Sequence, residues 1–256
     1  MTILGDTPTP PVQGVGPALR VGEIVEASSC DLVAQSVRLH EAPAFGSLVR
    51  VPVVPADAER PPALEGQAGD TLPTGWEGGA GHAQPTELYA VVAETHTASL
   101  EAGGRPIARG REGVVDAAIY RENPDLEHVL RTEFRAILVG FCTTSLAGSS
   151  KSAGRRVFQH LPPLPPPLHY SVYACSPAEV VAFTERLDFL RALLATSPAL
   201  ADELTAACVR AAAAARGGAA GEAFLLRVGR ELAVLLRDDY DRLTAVLRRL
   251  RPAEAR

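Results

Sequence analysis

The sequence predicts an α+β protein, with a small closed β-barrel of about six strands on the N-terminal side and an α-helical region of about three helices behind it. Three observations carry this. Arg20–Val54 reads as three short strands joined by tight turns. Further strand-like segments follow before position 144. Beyond Ser176 the apolar residues fall at helical spacing between clear caps. The expected organisation is a disordered lead-in over 1–18 and a barrel domain over 19–144 with a mobile loop at 55–86. A Gly/Ser-rich then Pro-rich linker over 145–170 and a helical domain over 171–252 complete it.

Val21, Ile24 and Val25 lead into a turn at Ser28–Ser29. In the second strand Val33, Val37 and Leu39 form the expected apolar face. Pro43, Phe45 and Gly46 make the next turn, and Leu48–Val54 is a β-branched third strand. The loop at 55–86 is dominated by Gly, Pro and small polar residues. It holds the single tryptophan, Trp76, read as a local packing residue with a partner anchor as the alternative. Strand character returns at Glu87–His96 and around Gly113–Tyr120. Asn123–Pro124 is expected to cap a short helix. Phe134–Cys142 follows as a strand buried on both faces, and closure into a barrel removes exposed edges.

The proline tract at 162–167, five prolines with Leu164, is an extended semi-rigid segment, because each proline fixes φ and removes a donor. It is read as a strap across the barrel into the second domain, with Leu164 and Leu168 for packing. Docking on an aromatic groove of a partner is the alternative. Ser176-Pro177-Ala178-Glu179 is a capping box opening the first long helix, along which Val180, Phe183, Leu187, Leu190 and Leu194 are spaced. Ser197-Pro198 restarts a second helix that Gly217-Gly218 ends, and a third runs from about Glu222 to Arg251. Tyr240, Leu243, Leu247 and Leu250 form a 3-4-3 seam for another helix of this chain or of a second protomer.

Composition narrows the function classes. With 25 basic and 30 acidic residues the net charge is −5, too balanced for the global field of a non-specific DNA binder. All the basic residues but Lys151 are arginine, a bias that reflects a GC-rich genome, with heat adaptation as the alternative. No apolar run approaches the roughly 18 residues of a membrane span. The N-terminus has no basic, apolar leader pattern, so a cytoplasmic location without membrane contact is expected. Cys30, Cys142, Cys175 and Cys208 lie far apart with no CxxC pair, and are read as buried free thiols rather than metal ligands.

No catalytic motif meets its chemical requirements in this sequence. Lys151-Ser152 lacks both glycines a phosphate loop needs to wrap phosphates in backbone N–H groups. The histidines at 40, 82, 96, 128, 160 and 169 show no HxH or HExxH spacing, and no GxSxG elbow is present. Glu127 and His128 are adjacent and point to different sides of their helix. No catalytic, cofactor-binding or metal residue is assigned, and no cofactor or enzymatic activity is expected. The Gly-Arg-Arg stretch at 154–156 and Arg242, Arg248, Arg249 and Arg251 are the places where nucleic acid could be held; favourable charge at a helix C-terminus is the plainer reading of the second group.

Val21-Gly22-Glu23-Ile24-Val25, the turn Phe45-Gly46-Ser47-Leu48-Val49 and the segments Gly113–Tyr120 and Phe134–Cys142 resemble the HAS-barrel. This is the small N-terminal barrel of HerA-type DNA translocases and of the catalytic-ring subunits of rotary ATP synthases. The resemblance covers Leu19–Cys142, and the helical second half is similar to bacterial proteins that pair such a barrel with a helical tail. No ATPase domain follows the barrel, so ATP hydrolysis does not carry over. The resemblance implies a non-catalytic assembly or adaptor protein, in contact with a translocase-type ATPase or nuclease or with copies of itself. A nucleic-acid-binding module is the alternative.

Overall fold

An unbroken apolar run, Leu88 to Ala93, marks the strand around which the molecule is organised. A strand reads this way when both its faces are buried. The computed structural model describes residues 19–53, 85–101, 103–144 and 155–250. Its strands are β1 (Arg20–Ala27), β2 (Asp31–Ser36), β3 (Leu48–Pro52), β4 (Pro85–Ser99), β5 (Leu130–Thr144), β6 (Arg155–Phe158) and β7 (Ser171–Ala174). They pair antiparallel in the order β2-β1-β7-β3-β4-β5-β6, and β2 also pairs with β5. That last ladder closes six strands into a barrel, with β6 added outside on the far half of β5.

The barrel interior holds Ile24, Leu32, Ala34, Val49, Val51, Leu88, Ala90, Val92, Phe134, Ala136, Leu138 and Val172. Along β4 the alternate residues Tyr89, Val91 and Ala93 turn outward into a second core, shared with the helices. The double burial explains the missing polar residues of this strand.

The helices are α1 (Ala117–Glu122), α2 (Leu126–Val129), α3 (Pro177–Phe183), α4 (Phe189–Leu194), α5 (Pro198–Arg216), α6 (Gly218–Leu235) and α7 (Tyr240–Leu250). The last five pack on one wall of the barrel through Phe183, Phe189, Leu190, Leu193, Leu204 and Cys208, with Phe224, Val228, Leu232, Val246 and Leu250 forming the outer layer. Gly46, at φ 81°, lets the loop before β3 reach this layer. A Cβ there would stand 2.5 Å from the Cβ of Ala207, so only glycine fits.

The α+β architecture with a closed barrel matches the sequence expectation, and several details do not. Gly113–Tyr120 is no strand: Arg111 and Val114 form a tight bridged turn, and α1 begins at Ala117. The apolar face of β2 is Leu32 and Ala34, not Val33, Val37 and Leu39; Val37 is 52 % exposed. Both faces of that strand carry apolar residues, and pairing with β5, Leu32 opposite Ala136, decides between them. Asn123 closes α1 through its side-chain amide, which donates to the Ile119 carbonyl; the short helix expected after it is α2, whose N-cap is Asp125 rather than Asn123.

Two strands come from segments read otherwise: β6 lies in the expected linker, and β7 lies at the start of the expected helical region, between β1 and β3. The proline tract is the connection between them, with Pro162 and Pro166 buried and Leu168 exposed rather than packed. Beyond β7 the described residues form five helices instead of three. Gln159 holds one break open: its amide nitrogen donates to the carbonyls of Phe183 (2.6 Å) and Arg186 (3.1 Å), and its carbonyl accepts from the Phe189 N–H (3.1 Å). At the other break the Asp239 carboxylate accepts from the Arg242 N–H at 3.0 Å and caps α7. Gly217 ends α5 at φ 67°, and α6 starts at the next residue. The seam residues Leu243, Leu247 and Leu250 pack within this chain, and Tyr240 is exposed.

Candidate interaction surface on the barrel arm

β4 and β5 are far longer than the strands beside them. β3 covers β4 only from Glu87 to Val91, whereas the β4–β5 ladder continues to Ser99 opposite Leu130. Past Val92 no described strand pairs with the outer edge of β4, and past Glu133, where β2 ends, β4 and β5 continue alone as a two-stranded arm, Thr97–Ser99 against Leu130–Thr132. Its base is braced by the loop after β2: the Thr132 hydroxyl accepts from the His40 N–H at 2.8 Å and bonds the Thr97 hydroxyl at 2.9 Å. The His40 ring lies 2.7 Å from the Tyr120 hydroxyl, joining α1 to the same loop.

The arm tip is apolar where it faces solvent. Ile107 is 85 % exposed and Leu100 50 %, and Val115, Tyr120 and Val129 are exposed as well. Leu100, Pro106, Ile107 and Val129 share one concavity of about 450 Å³ with Arg105, Arg109 and His128 on its margin. Arg109 is held by Asp125 at 2.8 Å and Asn123 at 3.2 Å, which fixes the tip's fold. This surface is not legible in the residue pattern of 100–129. Its one signal was apolar residues scattered through a segment with no period of its own.

A second concave region, a cleft of about 640 Å³, runs between the barrel wall and α4, floored by Ile137, Leu138, Leu161 and Leu200. At its rim Asp31 meets the Arg135 guanidinium and the Ser28 hydroxyl. Burial alone pushes the Asp31 pKa up, but the Ser28 hydrogen bond and the Arg135 charge outweigh it and hold the carboxyl below its ordinary 3.8. Exposed Cys30 borders the same cleft.

Of the other thiols Cys142 and Cys208 are buried and Cys175 is half-buried, so the reading of all four as buried fails at Cys30. Burial, with Glu87 nearby, pushes Cys142 up to about 11, and burial pushes Cys208 up to about 12, so both stay protonated and unreactive near neutral pH. His169 sits 3.1 Å from Glu23, and His160 stands edge-on to Phe141 and Phe158. His96 and His128 are exposed. Among the described residues no three His, Cys, Asp or Glu side chains converge as metal ligands.

Two of the arginines considered for nucleic acid are committed elsewhere: Arg242 pairs with Asp202 at 2.7 Å and Arg249 pairs with Glu203, both on α5. Arg248 is exposed, and Arg156 lies over the Phe158 ring. Trp76, His82, Lys151, Ser152 and Arg251 lie outside the described residues. Among the described residues no helix is long and apolar enough to cross a membrane.

The fold defines a class: an α+β protein built from a closed six-stranded antiparallel barrel with helices on one wall. No protein-family model matches the chain, and no curated protein matches it.

Proposed function

We propose that this chain is a non-catalytic assembly or adaptor protein whose barrel presents the β4–β5 arm to a protein partner. The observation that carries the reading is the apolar concavity at the arm tip, formed by Leu100, Pro106, Ile107 and Val129 within a polar margin. An exposed apolar surface rimmed by charge is the anatomy of an interaction site. The resemblance of Arg20–Val54 to the HAS-barrel supports a HerA-type translocase ATPase, or a nuclease acting with one, as the partner class, and contacts between barrels as the mode.

The test is co-purification of the tagged chain from its native host beside an Ile107→Glu variant. Capture of a translocase-type ATPase or nuclease by the wild type, lost in the variant with the fold intact, supports the reading. Equal capture by both removes the arm tip from it. A nucleic-acid-binding role, the other reading, has less to stand on with Arg242 and Arg249 engaged in ion pairs. Absence of salt-dependent DNA binding at low ionic strength eliminates it.

A further inference from the structure

We infer that the arm also pairs with a second copy of itself, through the free edge of β4. This goes beyond the tip surface, because it uses backbone groups along the strand rather than the side chains at its end.

The edge follows from the hydrogen-bond alternation. On the β3 side, the last contact of β4 is at Val92, whose N–H donates to Ser47 (3.0 Å) and whose carbonyl accepts from Gly46 (2.8 Å). A bulge follows, since the register with β5 shifts between Val92 and Glu94. Past it the Leu100 N–H donates to the Val129 carbonyl on β5 at 2.8 Å. Alternation back from Leu100 aims the backbone groups of Ala98, His96 and Glu94 at β5, and those of Thr95, Thr97 and Ser99 away from it. No described segment pairs with that outward side, and Thr95 and Thr97 are exposed.

Edges of this kind recruit strands, and soluble proteins guard them with Pro, Lys or charges at the outward positions. Thr95, Thr97 and Ser99 carry none of these guards. A second copy fits in a two-fold register that joins these outward residues. With the two-fold axis at Thr97, that residue faces itself and Thr95 faces the second copy's Ser99, joining all three outward residues. On the other face His96 meets Ala98 and Glu94 meets Leu100, so no like charges oppose. An axis at His96 would set two imidazoles opposite each other and place Ser99 against the Ala93 bulge. The product is a continuous antiparallel sheet running through β5 and β4 of one copy into β4 and β5 of the other.

The test is size-exclusion chromatography with light scattering across a concentration series. The wild type is expected to shift from monomer to dimer mass. Thr97→Pro removes an outward N–H and, besides the Thr97–Thr132 hydroxyl contact, no β4–β5 backbone bond; beside a Thr97→Val control that loses the same hydroxyl but keeps the N–H, it should keep the circular dichroism spectrum and weaken dimerisation by about tenfold or more. In a Cys30→Ser background, Thr97→Cys should cross-link to itself under oxidation and His96→Cys should not. A wild type monomeric throughout, a dimer indifferent to Thr97→Pro, or equal cross-linking at both positions overturns the inference. Ile107→Glu should leave the dimer unchanged, so failure here is separable from failure at the tip.

Discussion

The guanidinium Nε of Arg50, on β3, stands 2.9 Å from the Glu179 carboxylate at the start of α3, an ion pair whose N–H is not aimed along the contact. The same guanidinium donates to Glu87 on β4 at 3.1 Å and lies over the Tyr173 ring of β7. Glu179 in turn receives the N–H and hydroxyl of Ser176, both at 2.8 Å. One side chain thus ties three barrel strands to the cap of the first long-run helix.

Arg50 is only 12 % exposed in its side chain, and both glutamates beside it are largely buried. Replacing it by methionine removes the cation between two largely buried carboxylates, and the expected loss is about 3 kcal/mol of unfolding free energy. Urea denaturation checks this. Glu179→Gln in the same background should restore part of the loss; additive effects would show that the two residues are not coupled.

Ser176→Ala removes the hydroxyl that accepts from the Glu179 N–H at 3.3 Å. A cap of this kind contributes about 1 kcal/mol. Thermal unfolding should show a modest fall in the midpoint, and a Ser176→Thr variant, whose hydroxyl can both accept that bond and donate to Glu179, should recover most of it.

Acid should weaken the closure between β2 and β5. The folded-state pKa of Asp31 is depressed, so its contribution is present above its unfolded value of 3.8 and fades as pH falls through the lower folded value. Because Arg135 is 49 % exposed, solvent screening holds the effect to about 1 kcal/mol or less. Asp31→Asn should therefore lower stability at neutral pH, with the gap to wild type narrowing in acid. A gap that stays constant down to pH 2 would argue against this assignment.

Thiol titration separates the cysteines. Exposed Cys30 should react with an aromatic disulfide reagent first in the native state, and Cys142 and Cys208 only on unfolding. Cys208 also carries an alkaline signature. Its folded value near 12 exceeds its ordinary 9.0, so the stability it contributes is complete below pH 9 and is lost as pH rises towards 12. Cys208→Ala should flatten that alkaline fall.

Much of the fold was legible locally. The capping box at Ser176–Glu179 was readable because a cap is complete within four residues. The burial of Phe134–Cys142 showed in its composition in part: both faces are buried from Leu138 to Cys142, whereas Arg135 is exposed and Ile137 half-buried. The strand β7 was not legible: four residues behind a proline tract carry no period, and their partners β1 and β3 lie more than a hundred residues away. The arm was hidden for a related reason. Glu87–His96 was seen as a strand, but its open outward edge depends on how soon β3 stops.

By itself, then, the sequence determined the α+β class, a barrel with helices, and the capping box at Ser176–Glu179, because period and capping act over a few residues. Only the tertiary structure decided which face of β2 is buried, which strand closes the barrel and which edge of β4 stays open. Those depend on hydrogen bonds between segments far apart in the chain, where local propensity does not discriminate between registers.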